Sequence, residues 1–195
     1  MAVFVIAREN ETEENKIQTY KEEADLRRLL FYCMSKSNYT FYNHVYALGI
    51  QCVADQMIFL QRCRYKPVYN RAVHYILSFD SKKGEKDVKV QQIKDMIWWI
   101  ISCYFRDYQC VACLHTDKST HLHVHIVINP VAPGDLSLYH YNFRRLKAVL
   151  ANDLGDIYHV ALQGMTYYDQ NGVLRKGSEE GIFLYQHKYK EYFGI

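Results

Sequence analysis

Four of the nine histidines fall within eleven residues, at His115, His121, His123 and His125. Side chains in an extended chain alternate between faces, so His121, His123, His125 and Asn129 share one face while Leu122, Val124, Ile126 and Ile128 take the other. The apolar set predicts a core-facing side, and the imidazoles converge on the opposite surface. Residues 109–115 also read as a strand, and the five polar residues 116–120 between the two runs predict a hairpin. Pairing across that turn is expected to set His115 opposite His121 and diagonal to His123, within reach of long side chains. Three neutral imidazoles can then close on one divalent ion and leave positions open for water or substrate, as a catalytic metal site requires. His121 and His123 are a permitted alternative pair on the same strand diagonal. Asp117 suits a carboxylate that holds an imidazole tautomer or takes a proton from a nucleophile; it suits equally a turn residue in a polar loop.

The elements that must position this cluster are readable around it. Residues 2–8 read as a short strand, and the acidic stretch after them as a loop. Leu26, Leu29, Leu30 and Cys33 fall at i, i+3, i+4 and i+7, which predicts a helix with Arg27 and Arg28 off its apolar stripe. Val73 to Phe79 reads as a strand, and Gly84 precedes a helix with Ile93, Met96, Ile97, Ile100, Ile101 and Tyr104 on one side. After Pro130, Pro133 and Gly134 a helix is expected over residues 141–154, with Leu146, Val149, Leu150 and Leu154 facing inward. Asp169-Gln170-Asn171-Gly172 carries the Asn-Gly signal of a hairpin turn. Strands joined by short turns and mixed with helices predict an α+β fold: a central antiparallel sheet of about five strands flanked by helices.

At 195 residues, with 49% hydrophobic residues and only 3 Pro, the chain is expected to form one globular domain over 1–195 and not a disordered or fibrous one. The longest apolar run, residues 96–105, is too short to span a bilayer, and no basic leader opens the chain, so a cytoplasmic protein is expected. Cys33, Cys52, Cys63, Cys103, Cys110 and Cys113 are expected as free thiols, and the lone Cys110-x-x-Cys113 lacks the second pair of a zinc ribbon. Net charge is +3, yet the stretch from Arg8 to Asp25 holds seven acidic side chains against three basic, so the positive excess lies from Leu26 onward. It comes in pairs such as Arg27/Arg28, Arg64/Lys66, Lys82/Lys83, Arg144/Arg145 and Arg175/Lys176, interleaved with 18 tyrosines. Basic groups beside stacking rings suit a single-stranded nucleic acid; on charge alone, a mixed solvated surface fits better.

The run His115-x-Asp117, with His123-x-His125 eight residues after the first histidine and Asn129 four further on, resembles the third motif of conjugative relaxases, the VirD2/MobA-like mobilisation nucleases of the HUH superfamily. Residues 29–36, Leu-Leu-Phe-Tyr-Cys-Met-Ser-Lys, resemble the first motif, which carries a nucleophilic tyrosine. Residues 71–79, Arg-Ala-Val-His-Tyr-Ile-Leu-Ser-Phe, resemble the second, a strand close to the DNA. The resemblance implies metal-dependent, site- and strand-specific nicking and rejoining of DNA at the transfer origin of a plasmid or integrative element, through a 5′-phosphotyrosine link. It implies Tyr32 as nucleophile, with Tyr39, Tyr42 and Tyr46 as rivals, and Asp117 as the catalytic carboxylate. It also implies a divalent ion on His115, His123 and His125, Mn²⁺ or Mg²⁺ in function and Zn²⁺ or Ni²⁺ as substitutes in crystals. Tyr32 lies roughly 100° round the helix from the centre of the apolar stripe, which lets its hydroxyl emerge at the edge of the packed face. Charge near that site nominates Arg27, Arg28, Lys36, Arg64, Lys66 and Arg71 as DNA contacts, and the second-motif strand adds His74 and Ser78.

The implied partners are single-stranded DNA beside a hairpin, accessory mobilisation proteins, and a coupling protein with its type IV secretion system, in a bacterial cytoplasm. A nuclease domain excised from a longer protein fits the resemblance as well as a complete chain. Three other readings stay open. A rolling-circle replication initiator or transposase would place its nucleophile at Tyr139 or Tyr141. A histidine-triad nucleotide hydrolase would use His121-Leu-His123-Val-His125, and an inactive single-stranded DNA-binding module would cleave nothing.

Overall fold

The computed structural model describes residues 2–6, 19–80, 90–116, 121–140, 142–158, 160, 162, 166–168 and 174–176. Asp117, Tyr141, Lys82, Lys83, Gly84 and the expected turn at 169–172 lie outside the described residues, as do the side chains of His121 and Arg144. In chain order the elements are β1 Ala2–Ile6, α1 Glu23–Ser35, β2 Tyr39–Asn43, α2 Ile50–Arg62, β3 Val73–Asp80, α3 Val90–Tyr104, β4 Cys110–His115, β5 His121–Ile128, α4 Phe143–Tyr158, β6 Thr166–Tyr168 and β7 Leu174–Lys176. The main sheet has five antiparallel strands in the order β1-β3-β5-β4-β2, and β6 pairs with β7 as the arms of the expected last hairpin. The architecture is the α+β arrangement expected.

Alternation along the strands divides the sheet between two cores. Tyr75, Leu77 and Phe79 of β3, Leu114 of β4, and Val124, Ile126 and Ile128 of β5 pack with Ile93, Met96, Ile97 and Ile100 of α3 and Leu146, Leu150 and Leu154 of α4. On the other face Val111 and Cys113 of β4 and Val127 of β5 meet Leu26, Leu29, Leu30 and Cys33 of α1 and Val53, Ala54, Met57 and Ile58 of α2. Helices therefore cover both faces.

The α1 stripe is buried as its spacing predicts, and the helix starts where the sequence caps it. Glu22 and Asp25 form a capping box, and the acidic Glu23 and Asp25 suit the positive end of the helix dipole. Helix α4 is displaced from the expected 141–154, starting at Phe143 and running on to Tyr158. Strand β2 and helix α2 were not anticipated. Gly49, at φ 100°, turns the chain into α2 with a backbone that a side chain would strain.

Register differs from the expectation. His115 pairs with His123, and Cys113 with His125, whereas His121 pairs with Asp80 of β3. The reason is the length of β5: it extends past the end of β4, and its first two residues find partners only on β3. A shift of two residues preserves parity, so each side chain keeps the face that alternation assigns it.

Candidate active site

The last turn of α1 lies over the strand ends that carry the histidines. His115 faces His123 directly across the β4–β5 pair, and His125 lies on the diagonal. Their ring centroids are 5.0 Å apart for His115 and His123, 4.6 Å for His115 and His125, and 5.0 Å for His123 and His125. One ligand nitrogen from each lies within 4.8 Å of the others. His121 occupies a register position beyond the His115–His123 pair.

Two neighbouring contacts bear on whether these rings suit a metal ion. His115 Nε2 lies 2.7 Å from the Cys33 carbonyl oxygen near the C-terminal end of α1, so that nitrogen donates and Nδ1 keeps the lone pair. His125 Nδ1 lies 2.9 Å from His74 Nε2, while His125 Nε2 is buried and has no hydrogen-bond partner among the described residues. A buried imidazole nitrogen without a partner costs stability unless something is meant to meet it, and a cation shared with His115 and His123 would. Burial pushes His74 down to about 4 and His125 down to about 2; His125 also feels His74, His115, His123 and Lys36. Both rings are thus neutral near pH 7, the state a metal ligand needs. Cys33, His74 and His125 form a second group at ligand spacing. That group fits less well, because burial, followed by Cys113, raises the Cys33 thiol far above its usual range. The His74 and His125 nitrogens also bond each other.

Tyr32 stands over the cluster. Its ring centroid is 5.5 Å from that of His125 and 6.1 Å from that of His115, and the residue is 45% exposed. The placement follows from the bond between Cys33 and His115: pinning that carbonyl to a candidate ligand fixes the last turn of α1, and Tyr32 is the residue before it. Lys36, one turn on, holds its Nζ 4.6 Å from the Tyr32 ring centroid. The other tyrosines sit elsewhere. Tyr39 lies under Lys94 of α3, Tyr42 packs on the α1/α2 core, and Tyr46 is exposed in the loop after β2. Tyr139 stacks among Phe105, Tyr108 and Tyr75 in the α3/α4 core, on the face turned away from the histidines, so a nucleophile there is not assembled with them.

The nominated DNA contacts divide. Lys36 is at the cluster, and Ser78 lies opposite His123 in the β3–β5 register. Arg27 and Arg28 line a pocket of about 590 Å³ between α1 and α2, together with Phe31 and Gln51; Arg27 pairs with Asp55 and Arg28 with Asp25. Arg64 donates to the carbonyls of Leu136 and Lys66, and Lys66 is exposed beside it. Arg71 is occupied in holding Lys21 O and Gln61 Oε1, each at 3.1 Å. His74 is buried between His125 and the Tyr20 hydroxyl, with 8% of its surface exposed.

The sequence reading missed Tyr20 and the internal position of His74. Parity puts His74 on the histidine face of the sheet once β3 and β5 are neighbours, which was a usable signal; nothing in the sequence marked Tyr20. Asn129, which the third motif includes, is buried among Met57, Gln61, Gln109 and Val131.

A family model described as the nuclease domain of relaxases of the MobA/VirD2-like type matches residues 32–152, from Tyr32 through both histidine strands into α4. No curated protein and no solved structure matches the chain.

Proposed function

Because the chain belongs to the MobA/VirD2-like family of relaxase nuclease domains, we propose that it nicks and rejoins one DNA strand at a transfer origin, with Tyr32 as nucleophile and a divalent ion on His115, His123 and His125. The observation that carries this reading is the Tyr32 ring standing over His125 and His115, at 5.5 and 6.1 Å between centroids. A phenol and a set of imidazoles meet at one place at the end of the strand pair, where a phosphodiester can approach both.

The Tyr32 hydroxyl oxygen attacks the phosphorus and the P–O bond to the 3′ oxygen breaks. That oxygen leaves with the electron pair and takes a proton, which yields a 5′-phosphotyrosine and a free 3′-hydroxyl. The reverse attack reseals the strand, since the ester retains the bond that water would otherwise consume. His115, His123 and His125 would hold the ion, Mn²⁺ or Mg²⁺, whose chemistry when bound is to offset charge on the phosphoryl oxygens as a Lewis acid. Lys36 brings a further positive charge to the side from which the phosphate arrives. Asp117, two residues beyond His115, is the candidate acceptor for the Tyr32 proton. Ser78, Arg27, Arg28 and Lys66 are candidate contacts to the strand. The substrate is single-stranded DNA beside a hairpin at the origin of a plasmid or integrative element. Accessory mobilisation proteins and a coupling protein would act with it in the bacterial cytoplasm.

The test mixes the protein with a labelled single-stranded oligonucleotide and Mn²⁺ or Mg²⁺ and looks for a covalent adduct on a denaturing gel. The adduct is expected to vanish with chelator and in Tyr32→Phe, and to persist in Tyr39→Phe and Tyr46→Phe. An adduct that survives Tyr32→Phe, or a salt-sensitive complex that never becomes covalent, would overturn the proposal.

A further inference from the structure

A second line of hydrogen bonds runs away from the ion site into the protein. His125 Nδ1 lies 2.9 Å from His74 Nε2, and His74 Nδ1 lies 2.8 Å from the Tyr20 hydroxyl. All three side chains are buried. Two neutral imidazoles in one hydrogen bond have a single proton between the facing nitrogens, and its position decides what His125 can do. Were His74 to donate from Nε2, His125 would carry its proton on Nε2, an enclosed N–H with no acceptor among the described residues and no ability to ligate. If His125 donates from Nδ1 instead, its Nε2 is a bare lone pair. His74 then accepts at Nε2, carries its own proton on Nδ1, and donates that to the Tyr20 oxygen.

We infer that Tyr20 and His74 form a brace that locks His125 in the Nδ1-protonated tautomer and fixes its ring, and that this brace sets the affinity of the three-histidine site for a divalent cation. Both are positioning residues. The inference rests on the reading of that site as an ion site, and it goes further by assigning two residues to it.

The brace also reaches the nucleophile. Tyr20 is anchored by its own N–H to Asn70 Oδ1 at 2.9 Å, and its carbonyl accepts the Arg71 N–H at 2.7 Å. Three residues later α1 begins. At the far end of that helix, Cys33 O accepts from His115 Nε2. The helix that carries Tyr32 is therefore tied to one candidate ligand from each end, through His74 to His125 and directly to His115. Ligand orientation and nucleophile position are consequently coupled, which a helix resting on the sheet by apolar packing alone would not achieve.

Two measurements on the full chain test this. In the metal-free wild-type protein, long-range ¹H–¹⁵N correlation of the imidazoles reads the His125 tautomer directly; Nδ1–H is expected, and Nε2–H would overturn the inference. Mn²⁺ binding is then followed by calorimetry and by the free-Mn²⁺ electron paramagnetic resonance signal. His74→Leu is expected to weaken binding by roughly 10- to 100-fold. His74→Gln, whose side-chain oxygen can still accept from His125, should recover most of that loss, and Tyr20→Phe should lose less than His74→Leu. Circular dichroism and melting curves identify variants that stay folded. A folded His74→Leu protein that binds Mn²⁺ as tightly as wild type would refute the brace. Should the wild-type protein bind no Mn²⁺, the ion reading fails by itself, while the tautomer measurement still decides whether the brace exists.

Discussion

Replacing Asn129 by aspartate changes one NH₂ for one oxygen, and the surroundings of that group make the change costly in a pH-dependent way. Asn129 is fully buried. Its Nδ2 donates to Met57 O at 3.1 Å and Gln109 Oε1 at 2.7 Å, and its Oδ1 accepts from Gln61 Nε2 at 3.1 Å and the Val131 N–H at 3.2 Å. Both donor hydrogens and both lone pairs are used. A carboxylate there would face two acceptors with an enclosed negative charge, so the folded state keeps the introduced acid protonated. Holding a carboxyl of ordinary pKa about 3.9 neutral at pH 7 costs roughly 4 kcal/mol, at about 1.36 kcal/mol per unit. One proton cannot replace two, and the acceptor left unpaired costs about 1–3 kcal/mol more. The loss is thus about 5–7 kcal/mol at pH 7, against about 2–4 at pH 4.5, where the unfolded acid is itself partly protonated. The sign follows from a folded pKa above the unfolded one: the variant loses stability as pH rises. Asn129→Ala, which introduces no charge, should lose about 2–5 kcal/mol at both pH values. Urea unfolding followed by fluorescence of Trp98 and Trp99 at pH 4.5 and 7 measures this. Less than about 1 kcal/mol of loss for Asn129→Asp at pH 7, where several are expected, would mean the amide is not enclosed as described.

Three further outcomes are expected. Saturation with Mn²⁺ at about 100 times its dissociation constant should stabilise the folded chain by about 2.7 kcal/mol, which corresponds to roughly 5–10 °C in Tm for this length. Calorimetry should find no such shift in His123→Ala or with chelator present. At pH 8 a thiol reagent should react rapidly with the exposed Cys63 and Cys103, while Cys33, Cys110 and Cys113, buried and with their thiols raised (Cys113 to about 12), react only on unfolding. Fast modification of Cys113 would contradict the core described. The Arg62 side-chain hydrogen bond holds Glu23 below its usual pKa, and Asp25 is held down by the Glu22 backbone and then Arg28. Groups depressed on folding add stability above the ordinary carboxylate range and lose it as pH falls through their folded values. Acid titration of stability should therefore be shallower in Glu23→Gln than in wild type, and an unchanged slope would count against that ion pair.

What the sequence revealed and what it hid have a common cause. Periodicity identifies a face, and for α1, α3, α4 and β5 the face was enough, because each has a continuous stripe of aliphatic residues. Helix α2 has such a stripe in Val53, Ala54, Met57 and Ile58, but it ends in the buried Gln61 and follows a five-residue edge strand whose side chains are mostly half-buried. Both of those blur the boundary signals. Depth was the harder quantity. With helices on both sides of the sheet, a polar residue on the histidine face is either open to substrate or enclosed in a network, and alternation treats the two alike. His123 and Ser78 are half-buried, and His74 and Asn129 are enclosed. Only their partners separate them, and those partners are distant in the chain: Tyr20 for His74, and Met57 and Gln61 for Asn129.

The location of the site follows from how two strands grade from apolar to polar. On the α1/α2 face β4 presents Val111, Cys113 and His115 in order, while β5 presents His123, His125 and Val127. Because the strands are antiparallel, the valines pair with each other, Cys113 pairs with His125, and the outer histidines pair at the other end. The face thus passes within three cross-strand steps from a dry core to a polar margin. His125, at the middle step, is enclosed enough to remain neutral and to need a brace; His123, at the outer step, is half-buried. Helix α1 lies over this gradient with Leu26, Leu29 and Leu30 toward the dry end, and its last turn reaches the margin. A nucleophile there must be packed well enough to be aimed and exposed enough to meet a polymer. Tyr32 satisfies both because it sits one residue from the buried Cys33, on the side of the helix where the apolar stripe stops. Moving the tyrosine about one turn earlier, to position 28, would carry it about 6 Å toward the helix N-terminus at 1.5 Å per residue, away from the end pinned to His115, and adduct formation should be lost in a Tyr32→Phe/Arg28→Tyr protein even though a phenol remains on the same helix.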